Sequence, residues 1–121
     1  MTTQPFEAHV RRQDDHITID LSGEINSFAE TDMNEAYAEA ESSNPATVVL
    51  NFTNVSYINS TGIALIVGLL ARARKAKRQL AVYGLSAHYT EVFQITRLSD
   101  FMHIYPDEQS LTVETTKPIK E

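Results

Sequence analysis

The stretch VVLNFTNVSYINSTGIALIVGLL, residues 48–70, constrains this chain more than any other segment. Residues 47–52 (TVVLNF) are rich in β-branched types and nearly continuous in apolar character. That is the signature of a strand covered on both faces. Asn59, Ser60 and Thr61 are helix-capping types. They precede residues 62–78, whose apolar first half and basic second half suit one long helix. A doubly covered strand running through a loop into a capped helix demands further parallel strands and crossover helices around it.

The rest of the chain supplies them. Phe6, Ala8 and Val10 alternate with polar residues, and after Asp14-Asp15 so do Ile17, Ile19 and Leu21. Two period-2 runs around a short polar turn predict an antiparallel hairpin. Residues 27–41 lack Gly and Pro and place Phe28, Met33, Ala36, Tyr37 and Ala40 on a loosely helical apolar side. Ser42, Ser43, Asn44 and Pro45 end that helix. Residues 80–83 read as a short strand closed by Gly84. Ser86 opens a helix to about Leu98, with Val92, Phe93 and Ile95 facing inward. Residues 101–105 read as a last strand, and Pro106 begins a final helix. The expected architecture is α/β. Its mixed sheet has four to five strands and about four helices, in the order β-β-α-β-α-β-α-β-α, with right-handed crossovers. With 121 residues, one domain over residues 1–115 is expected, followed by a polar tail at 116–121.

Composition narrows the function. The net charge is -6, which disfavours gripping nucleic acid through the overall field. There is no Cys, so thiol catalysis, disulfides and Cys-based zinc sites are excluded. His9, His16, His88 and His103 form no metal-binding spacing, and no metal or cofactor is expected. No nucleophile elbow and no Walker-type phosphate loop occurs. The acidic pairs Asp14-Asp15 and Asp107-Glu108 fall in a turn and at a helix start, where solvation and capping account for them. The N-terminus lacks a signal-peptide pattern. The longest apolar run, residues 62–71, is too short to span a bilayer. A soluble cytoplasmic protein without direct membrane insertion is expected.

Charge is uneven along the chain. Ten of the 16 acidic residues lie in the first sixty positions. Five of the 10 basic residues, Arg72, Arg74, Lys75, Lys77 and Arg78, crowd the end of the long helix. They either complement the helix dipole or form a contact patch for an acidic partner.

The chemistry-bearing feature is the hydroxyl pair Ser60-Thr61 at a helix N-terminus. Free backbone N–H groups there favour an anion. A phosphate on Ser60 would add about -1.5 to -2 charge. The helix end tolerates such a group, whereas a protein–protein interface does not. Gly62 and Ala64 leave the first turn without bulk, so that a partner surface can approach.

Three segments resemble the STAS domain family, and within it the anti-sigma factor antagonists of bacterial partner-switching systems. Leu21-Ser22-Gly23-Glu24-Ile25-Asn26 resembles the family's early strand end. Residues 48–52 followed by Val55, Ile58 and Asn59-Ser60-Thr61-Gly62-Ile63 resemble its central signature. Leu80-Ala81-Val82-Tyr83-Gly84-Leu85, with Val92-Phe93 and Thr96-Arg97-Leu98, resembles a later strand–helix segment. The resemblance runs from about Phe6 to Val113 and implies a STAS-like sheet.

The resemblance further implies a non-enzymatic binding module. Its unmodified form would bind an anti-sigma factor that is also a serine kinase. Phosphorylation of Ser60, or alternatively Thr61, would release that partner, and a PP2C-type phosphatase would reverse the step. Asn26, Asn59, Ser60, Thr61, Gly62 and Ile63 would meet the partner. Two positions depart from the family pattern, since Asn51 and Asn59 stand where Asp is common. Both amides give weight to an alternative, a STAS subunit with a structural role in a larger signalling or lipid-transport assembly. Homodimerisation through a strand edge stays open.

Overall fold

The computed structural model describes residues 5–13 and 16–111. The turn expected at Asp14-Asp15, the end of the final helix and the tail at 116–121 lie outside the described residues. A five-stranded sheet has the order β1-β2-β3-β4-β5, the order of the chain itself. The strands are β1 (Glu7–Arg12), β2 (Ile17–Ile25), β3 (Thr47–Ile58), β4 (Gln79–Tyr83) and β5 (His103–Tyr105). Among the described residues only β1 pairs antiparallel, and the other three pairings are parallel. The crossovers carry α1 (Glu30–Glu41), α2 (Ser60–Lys75) and α3 (Ala87–Ile95). A final helix begins at residue 108, with the Asp107 carboxylate accepting a hydrogen bond from Ser110 N at 2.8 Å. The element order expected from the sequence is the one observed.

Period-2 alternation sets the two faces of the sheet. Ile17, Ile19, Leu21, Val48, Leu50, Phe52, Leu80 and Val82 pack under Met33, Tyr37, Ile66, Leu69 and Phe93 of the three helices. Phe52 and Phe93 meet edge to face, with centroids 6.2 Å apart. The opposite face holds a smaller cluster of Val49, Ala81, Tyr83 and Leu111. The continuous apolar run at residues 47–52 reflects this double burial.

Several boundaries move. The segment after Phe52, expected to be a loop, continues as strand to Ile58. The outer half of β2 pairs with it, through two register shifts that each give β3 an extra residue. Gly23 takes a left-handed φ of 85° at the second shift. The polar residues Thr53, Asn54 and Ser56 are exposed there, which hides the strand from a periodicity reading.

Residues 27–29 form a 3-10 turn rather than the first turn of α1. The Asn26 side chain accepts a hydrogen bond from Phe28 N at 2.9 Å. The tight turn sends Ala29 into the core and leaves Phe28 90% exposed. The long helix begins at Ser60, not Gly62, and ends at Lys75. Lys77 adopts φ 61°. Arg78 N then reaches back to Ala73 O at 2.8 Å, and Lys77 N to Arg74 O at 3.0 Å, which closes the helix in a Schellman turn. Helix α3 stops at Ile95, whose side chain is exposed rather than inward. The last strand begins only at His103, with Phe101 half-exposed before it.

Candidate functional site

The ends of β2 and β3 meet at one edge of the sheet, where Ile25 stands opposite Ile58. The carboxyl ends of adjacent parallel strands are the usual place for a site in an open α/β sheet. Here each strand leads into a capped helical turn. Asn26 caps the turn at Ser27–Ala29. Asn59 caps α2, its Oδ1 accepting a hydrogen bond from Gly62 N at 2.8 Å. The two strand ends are also tied directly, because Asn59 N donates to Ile25 O at 3.2 Å. Tyr89 of α3 fixes the same corner. Its hydroxyl accepts from Ile58 N at 2.9 Å and donates to Ile58 O at 3.3 Å.

Ser60 and Thr61 sit on this frame with exposed side chains. Neither hydroxyl has a hydrogen-bond partner among the described residues. The first turn of α2 carries no acidic residue, whereas Arg72, Arg74 and Lys75 occupy its last turn. The positive end of the helix dipole therefore faces the Ser60 hydroxyl without a competing carboxylate on the helix. Asn26, Asn59, Ser60 and Thr61 lie just beyond the joined ends of β2 and β3. Ile63 is half-buried and packs toward the core beneath them.

Gly62 does something other than open the surface to a partner. It is buried, and a side chain on it would collide with the Ile25 carbonyl and with Ile58 Cγ2. The missing Cβ admits the chain's own β2 end, so the close approach it permits is internal.

Asn51 belongs to a separate cluster on the other face of the sheet. Its Nδ2 donates to Asp20 Oδ1 at 2.8 Å, and its Oδ1 accepts from Thr53 N at 2.9 Å and Thr53 Oγ1 at 2.6 Å. Arg11 grips the same carboxylate, with Nε to Oδ2 at 2.6 Å, and reaches Tyr83 Oη at 3.1 Å and Glu108 Oε2 at 3.3 Å. Burial alone would raise the Asp20 carboxyl. The hydrogen bonds from Arg11 and Asn51 outweigh it and hold the group below the usual carboxylate range. Burial, with Glu108 nearby, pushes the Tyr83 hydroxyl up to about 12. An Asp at position 51 would set two carboxylates against each other across the β2–β3 pair, and the amide avoids that repulsion. This cluster joins β1, β2, β3, β4 and the final helix, and the sequence reading missed it.

Other surfaces offer less chemistry. A groove of about 880 Å³ lies between α3 and β5 and is lined by Leu85, Ile104, Pro106 and the carboxylate Glu91, among others. Among the described residues no group of three His, Cys, Asp or Glu could hold a metal ion. No described helix is long and apolar enough to cross a membrane.

The STAS domain model matches residues 7–111. An anti-sigma-B factor antagonist from Listeria monocytogenes is 33% identical over 93 residues, which is 77% of this chain and 82% of that protein. The corresponding Staphylococcus aureus antagonist is 29% identical over 92 residues, 76% of this chain and 85% of that protein. Among solved structures, an anti-sigma factor antagonist from Mycobacterium paratuberculosis superposes with a TM-score of 0.80 at 16% identity, covering 93% of this chain and 96% of the other. The phosphorylated form of the Bacillus cell fate determinant SpoIIAA gives 0.67 at 20% identity, covering 91% and 99%. Likeness at that identity concerns the fold, while the sequence relatives and the domain match carry the kinship. This chain belongs to the STAS domain family, and within it to the anti-sigma factor antagonist type.

Proposed function

We propose that this chain binds an anti-sigma factor serine kinase in a cytoplasmic partner-switching pathway and lets it go when Ser60 is phosphorylated. A PP2C-type phosphatase restores the binding form, and Thr61 is the alternative acceptor. The observation that carries this reading is the exposed Ser60 hydroxyl on the first turn of α2, on a frame fixed by Asn59, Ile25 and Tyr89. A phosphate there meets free backbone N–H groups and the positive end of a 16-residue helix. The fold keeps its shape while the surface gains two negative charges' worth of repulsion and desolvation cost, roughly. Asn26, Asn59, Thr61 and the edge of Ile63 form the surrounding contact surface. Gly62 acts underneath it.

The switch works by differential binding rather than turnover. To move a partner from almost fully bound to almost fully free, the two forms must differ about 10⁴-fold in affinity. Phosphopeptide mass spectrometry on the protein from its own cells, growing and stressed, tests the reading. Ser60 phosphate whose occupancy changes between conditions supports it. Well-covered peptides that never carry phosphate favour the alternative, a structural STAS subunit. Asn59 is the residue that gives that alternative its weight, because its amide caps the helix without placing a carboxylate beside the hydroxyl.

A further inference from the structure

The basic run at the end of α2 divides into two groups. Arg72 pairs with Glu41 and stacks over the Tyr37 ring at 4.7 Å. Arg78 is almost covered and donates to Pro45 O at 2.8 Å and Asn44 Oδ1 at 3.1 Å. These two hold α2 to the end of α1. Arg74, Lys75 and Lys77 have no ion pair among the described residues.

Beside these free cations lies an apolar groove of about 420 Å³, lined by Val67, Leu70, Ala71, Arg74, Leu98 and Phe101. Val67, Ala71 and Arg74 are exposed and follow one another at i, i+4 and i+7, so they share one face of the helix. A side chain added at Gly68 would meet nothing within 4 Å, which leaves that flank open. The Arg74 guanidinium lies 4.9 Å over the half-exposed Phe101 ring and forms one end of the groove. Exposed apolar side chains and unpaired cations thus occur together in a chain whose net charge is -6.

We propose that this groove docks an amphipathic helix of a partner protein, whose apolar side chains fill it and whose acidic side chains meet Arg74, Lys75 and Lys77. The walls are a helix and a helical turn with no open strand edge, which suits the helix-in-groove mode. A second copy of the chain docked groove to groove about a two-fold axis would bring like cations together. The assignment does not depend on Ser60 being modified.

The test uses the full chain labelled with nitrogen-15. It is titrated with a synthetic helical peptide carrying Leu at i, i+3, i+4 and i+7 and Glu at one end, and with a counterpart in which Lys replaces Glu. Saturable shifts confined to Val67, Ala71, Arg74 and Phe101, with the Lys peptide roughly tenfold weaker, are expected. Ala71→Glu, at an exposed position, should abolish the shifts while leaving the rest of the spectrum in place. Arg74→Glu should weaken the Glu peptide and not the Lys peptide. Equal affinity for the two peptides overturns the proposal. So does the absence of saturable shifts, a concentration-dependent dimer that buries the groove, or preferential binding to phosphatidylserine vesicles.

Discussion

The carbonyl of Ile25 occupies the space where a side chain on Gly62 would begin. This contact seats the first turn of α2 against the end of β2 and so sets the height of Ser60 above the sheet. Gly62→Ala should therefore destabilise the fold by about 1–3 kcal/mol through overpacking. A thermal melt should show a transition lowered by several degrees. A variant that melts like the parent would remove Gly62 from its packing role.

Asn59 caps α2 through Gly62 N. Asn59→Ala should cost ~1 kcal/mol in urea unfolding, whereas Asn59→Asp should keep the stability, because both side chains cap well. An Ala variant as stable as the parent would mean that the cap contributes nothing.

Phe28 and Ser60 are both exposed, on adjoining turns at the same end of the sheet. Phe28→Ser and Ser60→Ala should each change stability by less than about 0.5 kcal/mol. Their effects on binding should differ. Ser60→Ala should leave affinity for the anti-sigma factor intact, and loss of the exposed Phe28 ring should weaken it by about 1–2 kcal/mol. Calorimetric titration separates the two effects from unfolding.

The Arg11–Asp20–Tyr83 cluster gives stability a pH profile with two identifiable limbs. Asp20 has a lowered folded pKa, so its contribution is present above the unfolded carboxylate pKa and is lost as pH falls through the folded value. Tyr83 has a raised folded pKa of about 12 against an ordinary 10.0. Its contribution is complete below pH 10.0 and is lost as pH rises through about 12. Asp20→Asn should flatten the acid limb, and Tyr83→Phe the alkaline one, in denaturation followed across pH. Limbs unchanged by these substitutions would place the titration elsewhere.

The sheet and its helices were legible because alternation and capping are local. Ile17, Ile19 and Leu21 announce their face without help from distant residues, and the cap-type run Asn59-Ser60-Thr61 announces a helix start, placed two residues late at Gly62. What stayed hidden depends on tertiary partners. The strand at residues 53–58 exists because the far half of β2 pairs with it, and its exposed polar residues look like a loop. Phe28 was expected inside because its type is apolar, yet the turn capped by Asn26 rotates it outward. Asn51 looked like a lost carboxylate near Ser60. Its partner Asp20 lies 31 residues away in sequence and explains the amide without reference to Ser60. Ser60 itself was legible as an exposed hydroxyl at a helix start, while the internal role of Gly62 needed the position of Ile25.

Direct titration of the purified anti-sigma factor with this protein, unmodified and phosphorylated at Ser60, bears most closely on the switch. The expected result is tight binding of the unmodified form and of Ser60→Ala, with the phosphorylated form weaker by about 10⁴-fold. Equal affinity of the two forms would contradict it.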